Sequence, residues 1–206
     1  MVAKKTAKKA TKKSAKKNSK KATKKSAKKN SKKASKKKVA AKTSVTLGGN
    51  KVSVSGKLPK TGSQLPKFAL TTGNLSEIGN ADIKGKRVIF NIFPSIDTPT
   101  CATSARTFNE IASGLDNTDV YCVSADLPFA QGRFCGSEGL ANVKTASSFR
   151  SNFGAAFGVN LTSGVLKGIL ARAVVVVDEK GKVLHTELVS EIANEPNYAA
   201  AISVLR

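Results

Sequence analysis

Cys101 ends the stretch PSIDTPTC (94–101), in which two prolines, two threonines and an aspartate lead out of the apolar run RVIFNIF (87–93). A cysteine reacts as its thiolate, so its surroundings decide whether it is a reagent or a small apolar side chain. Thr98 is a residue type that caps helix N-termini, and Pro99 suits the first helical position, where its missing N–H costs nothing. Cys101 then falls in the first turn of a helix predicted over 99–113, where unpaired N–H groups and the helix dipole favour negative charge. Positions 101, 105, 108 and 112 hold Cys, Ala, Phe and Ala on one face, and Gly114 suits the stop.

Two further cysteines differ in setting. Cys122 lies inside DVYCVSA, on an expected central strand, and reads as an inert buried thiol; Cys135 lies in RFCGSEG, 34 residues after Cys101. Three cysteines, an odd number, argue against a disulfide scaffold. Position 104 is Ser, so there is no Cys-x-x-Cys dithiol motif. His185 is the only histidine, on an alternating strand, and reads as structural; no cluster of Cys, His and Asp suggests a metal. No glycine-rich phosphate loop follows a strand, so neither a nucleotide nor a flavin is expected, and no cofactor is implied.

The elements that must position these residues can be read from periodicity. SVTLGGNKVSVSG alternates on both sides of a glycine turn, as a β-hairpin does. RVIFNIF, DVYCVSA (119–125), RAVVVVD (172–178) and KVLHTELV (182–189) read as strands, the last two joined through Asp178-Glu179-Lys180-Gly181. Ala173–Val177 is apolar without alternation, as in a strand buried on both faces. Helices are expected over 99–113, about 144–153 and 196–205. Strands alternating with helices, ending in a hairpin and a helix, imply an α/β sandwich around a mixed sheet in one domain, 44–206.

Residues 1–43 are of another kind. They hold 20 of the 36 basic residues, all lysine, and none of the 13 acidic ones. Lysine pairs recur every four residues from Lys4-Lys5 to Lys36-Lys37, and TKKSAKKNSKKA occurs twice in succession, at 11–22 and 23–34. Such a segment buries too little apolar surface to offset its ordering entropy and is expected to be disordered. Its charge suits a DNA backbone or another polyanion, as in the Lys/Ala-rich tails of linker histones, or a merely solubilising extension. The lysines lead into VAAKTSVTLGG rather than an apolar signal core, and no stretch is long and apolar enough for a membrane span. A cytoplasmic, nucleoid-associated location is the expectation.

Pro94-x-x-x-Thr98-x-x-Cys101 matches in full the PxxxTxxC motif of the peroxiredoxins. NIFPSIDTPTCATSARTFNE, SADLPFAQGRFCGSEGL and ILARAVVVVDEKGKV, with GSQLPKFAL ahead of them, resemble the atypical two-cysteine branch of that family in the family's order. The resemblance spans 44–206 and implies a thioredoxin fold, a homodimer and a thiol-dependent peroxidase. By the same resemblance Cys101 would be the peroxidatic cysteine and Cys135 the resolving one, closing a Cys101–Cys135 disulfide that thioredoxin reduces. Thr98 would hydrogen-bond the peroxide and the thiolate, Pro94 would shield the oxidised sulfur, and Arg172 would stabilise the thiolate and polarise the peroxide. Substrates would be hydrogen peroxide and organic hydroperoxides. A rival expectation is a histone-like nucleic-acid-binding protein whose globular part senses oxidation without turning over.

Overall fold

The computed structural model describes residues 43–206, so the expectations for the lysine-rich segment fall outside the described residues. Strands β1 (Ser44–Leu47) and β2 (Asn50–Ser53) form the expected hairpin as a separate two-stranded sheet. β3 (Ala69–Thr72), β4 (Glu77–Gly79), β5 (Arg87–Ile92), β6 (Thr118–Ser124), β7 (Val143–Ser147), β8 (Ala173–Val177) and β9 (Val183–Leu188) form one seven-stranded sheet. Its order is β4-β3-β7-β6-β5-β8-β9. β5 pairs in parallel with β6, and β6 with β7, whereas β8 runs antiparallel to β5. The sheet is mixed and the fold is of the thioredoxin-like α/β kind.

Apolar runs build its centre because β5 and β8 are covered on both faces. Val88, Phe90 and Ile92 of β5 point with Ala173, Val175 and Val177 of β8 into one layer, which the rings of Phe68, Phe153 and Phe157 fill. Ile89, Val174 and Val176 point into the other, beneath helices α1 (Pro99–Ala112), α2 (Pro128–Glu138) and α4 (Tyr198–Ser203). The short α3 (Phe153–Ala156) lies in the aromatic layer.

Three expectations need correction. The helix placed over about 144–153 is β7 for its first part, because Val143–Ser147 pairs in parallel with β6 and antiparallel with β3. Val and Thr suit a strand, and β7 is an interior strand paired on both sides. β3 and β4 are additional strands, short and set among Gly, Asn and Ser, where alternation is too brief to mark them. Thr98 occupies the N-cap position of α1 but its side chain makes no capping bond; its hydroxyl donates to the Ser95 carbonyl at 3.0 Å.

Candidate active site

α1 starts where β5 ends, so the chain delivers PSIDTPTC to the C-terminal edge of the sheet. Asp126, just past β6, fastens this loop. Its carboxylate accepts from Ser95 Oγ at 2.8 Å, from Ile96 N at 2.7 Å and from Ser124 Oγ at 2.7 Å. Pro99 opens α1 and Cys101 is the third helical residue, its side chain wholly buried in the layer under the helices. From the adjoining β8 side comes Arg172, only 2 % exposed. Its Nη2 donates to Cys101 Sγ at 3.3 Å and its Nε to the Ile192 carbonyl at 2.9 Å. Nη1 is buried with no partner among the described residues.

Burying a cation is costly unless a negative group compensates it. Arg172 forms no ion pair with a carboxylate among the described residues, and the sulfur is the ionisable group its fork touches. Two donors fixed on a carbonyl and a sulfur leave the third N–H-bearing nitrogen free for an incoming oxygen. Above lies a cavity of about 260 Å³ lined by Pro94, Thr98 and Arg172 and by the apolar side chains Leu47, Leu166, Ile169 and Ile192. The structure thus brings together four of the five expected site residues: Pro94, Thr98, Cys101 and Arg172.

The chain matches the redoxin family model over residues 60–202. The chain belongs to the redoxin family. It is 52% identical over 157 residues to a thiol peroxidase of Corynebacterium glutamicum, covering 76% of this chain and 95% of that one. To a thiol peroxidase of Mycobacterium tuberculosis it is 54% identical over 161 residues, covering 78% and 97%. Among solved structures, a peroxiredoxin-like protein from Aquifex aeolicus superimposes with a TM-score of 0.75 at 42% identity, covering 79% of this chain and 95% of that one. These relatives make this redoxin a peroxiredoxin-type peroxidase.

Cys135, the fifth expected residue, sits apart on α2, half-buried against the same apolar layer as Cys101, and all three cysteines are free thiols. Burial raises the Cys135 pKa. α2 is held to the neighbourhood of Cys101 by ion pairs of Arg133 with Asp97 at 2.9 Å and Arg106 with Glu138 at 2.8 Å. Gln131, one turn before Cys135, is buried and donates to Ser124 Oγ at 2.8 Å. Sequence reasoning does not reach Asp126, Gln131 or Ile192; the SADLP and LVSEIANEP segments carry turn residues but no reagent that would mark them. No helix among the described residues is long and apolar enough to cross a membrane, and no cluster of three His, Cys, Asp or Glu there could hold a metal.

Proposed function

We propose that this redoxin reduces hydroperoxides through Cys101 and closes a Cys101–Cys135 disulfide that a thioredoxin-type dithiol reopens. The observation carrying this reading is the buried contact of Arg172 Nη2 with Cys101 Sγ at 3.3 Å. The thiolate attacks the terminal oxygen of ROOH, the O–O bond breaks, and the sulfur becomes a sulfenic acid while RO⁻ takes up a proton and leaves as ROH. The free Nη1 of Arg172 supplies the donor that negative charge developing on the leaving oxygen requires. Because the Thr98 proton is committed to the Ser95 carbonyl, its oxygen is free to accept from the peroxide O–H. Pro94 walls off the oxidised sulfur. The apolar cavity supports organic hydroperoxides beside hydrogen peroxide.

The Cys135 thiol then displaces hydroxide from the sulfenic sulfur, which leaves as water, and exchange with a thioredoxin dithiol restores both thiols. Because Cys101 is buried in α1 and Cys135 lies on another helix, bonding requires local opening of 98–104 and 130–138. α2 is suited to that: it contains Gly132 and Gly136, and its ion pairs are exposed and individually weak. Titrating reduced protein with one equivalent of cumene hydroperoxide should remove two thiols per chain and yield a Cys101–Cys135 peptide by mass spectrometry. Appearance of Cys122 in the product, or loss of a single thiol, would reject the scheme.

Residues 1–43, with 20 lysines and no acid, are proposed as a polyanion-binding arm that keeps this redoxin at DNA, and thiol peroxidase kinship supports a homodimer. A gel shift against salt tests the arm: protein lacking 1–43 should lose DNA binding, and retained binding would reject it. Sedimentation of the reduced protein tests the dimer.

A further inference from the structure

One wall of the cavity comes from outside the main sheet. Leu47 closes β1, and the turn Gly48–Gly49, with φ of 57° and 78°, joins it to Asn50. A two-stranded hairpin is marginal by itself and needs an anchor. Val45, Val52 and Val54 pack on Leu161, Ala171 and Ile192. The tip is held by a single carboxylate. Glu191 Oε2 accepts from Thr46 Oγ1 at 2.8 Å and from Gly49 N at 3.1 Å. Its Oε1 accepts from Gly48 N at 3.0 Å and from Ala193 N at 3.2 Å. On either side, Thr46 N donates to Ser190 O and Ile192 N to Thr46 O. These donors, led by the Gly49 N–H and the Thr46 hydroxyl, pull the Glu191 pKa down to about 2, so the clamp stays charged at neutral pH.

We infer that Glu191 is a specificity-positioning residue: it ties the hairpin tip to the 190–193 segment so that Leu47 and Ile192 stand as walls of a subsite for the alkyl part of an organic hydroperoxide. The inference rests on reading the cavity as the hydroperoxide site. The two peroxide oxygens need only Thr98, Arg172 and the sulfur; Arg172 rests on the Ile192 carbonyl, and the backbone bonds of Thr46 with Ser190 and Ile192 hold that strand position when the Glu191 bonds are loosened. The hydrocarbon needs the wall, which depends on the clamp. Gln at 191 keeps the size but puts an NH₂ group in place of one of the two accepting oxygens, so the backbone N–H that met that oxygen loses its acceptor and the tip is loosened.

The test compares wild type, E191Q and L47A with cumene hydroperoxide and with hydrogen peroxide. Both variants should lose about tenfold in kcat/KM for cumene hydroperoxide, through KM, the scale of weakening an apolar contact with one wall of a pocket. Their kcat/KM for hydrogen peroxide should stay within about twofold. Amide exchange at Gly48 and Gly49 should quicken in E191Q. Equal losses on both peroxides, no loss on either, or unchanged exchange in E191Q would each overturn the inference. Wild-type protein consuming hydrogen peroxide while the variants show no selectivity leaves the peroxidase reading standing; wild type consuming neither peroxide removes both.

Discussion

Cys101 and Cys122 are both buried thiols in the same layer of side chains, on the same face of the sheet. One sits in the first turn of α1 with a guanidinium nitrogen 3.3 Å from its sulfur. The other sits mid-strand in β6, its sulfur met only by the neutral amide of Asn91 at 3.7 Å. Burial pushes the Cys122 thiol up to about 12, and the Asn91 contact offsets only part of that. Depth therefore does not make a cysteine reactive or inert. In the proposed scheme a fixed cation beside the sulfur does the one; apolar walls and a strand backbone whose N–H groups are spent on neighbouring strands do the other. Asn91 also reaches Ser104 Oγ at 3.3 Å, so the two sites share a wall, and the charge of Cys101 adds to the upward push on Cys122.

The comparison predicts a hierarchy of losses. Cys101→Ser should lower thioredoxin-coupled peroxide consumption by about a thousandfold or more, as removal of a nucleophile does. Cys122→Ala should change the same assay by no more than about twofold. Equal losses would erase the distinction. Cys135→Ser should leave one oxidation per chain, seen as a sulfenic acid trapped by dimedone, while steady cycling with thioredoxin fails. Arg172→Lys keeps a positive charge but cannot hold the Ile192 carbonyl and the sulfur with one planar fork while offering a third nitrogen. It should slow the stopped-flow reaction with peroxide by about a hundredfold, the scale of removing a preorganised donor. A lysine variant as fast as wild type would mean that charge alone suffices.

Much of this contrast is legible in the residues and some is not. The apolar runs of β5 and β8 specify a doubly covered sheet, and Pro99 with Cys101 specifies a helix start under a thiol, because those signals are local. Cys122 reads as inert for the same reason. β7 reads locally as helix because VKTAS owes its strand to pairing with β6 and β3, which no window of sequence contains. α2 is blurred by Gly132 and Gly136, although Pro128 at its start and Gly139, left-handed at φ 65°, are its proper end signals. The contact of Arg172 with Cys101 spans 71 residues and is reached through family likeness, not through spacing. Asp126, Ile192 and Glu191 act through carboxylate or carbonyl oxygens that meet their donors only once the chain is folded.

The smallest effect tests the inert side of the comparison most directly, in stability. Folding moves the Cys122 thiol from an ordinary value of 9.0 to about 12, mainly by burial. The unfolded chain ionises first, so the stabilisation is whole below pH 9 and is lost as pH climbs toward 12. Near pH 10.5 the loss from this group is about 2 kcal/mol. Cys122→Ala removes the titration and leaves a small void worth about 1 kcal/mol. In urea melts the variant should therefore be the less stable protein near neutrality and should match or exceed wild type at about pH 10.5. Groups that do not interact with Cys122 are common to both proteins and cancel in the difference; the coupling to Cys101 and Cys135 ranks below burial and the Asn91 contact. A gap that is the same at both pH values would show that Cys122 ionises alike in the folded and unfolded chain, and that its silence comes from something other than the apolar layer around it.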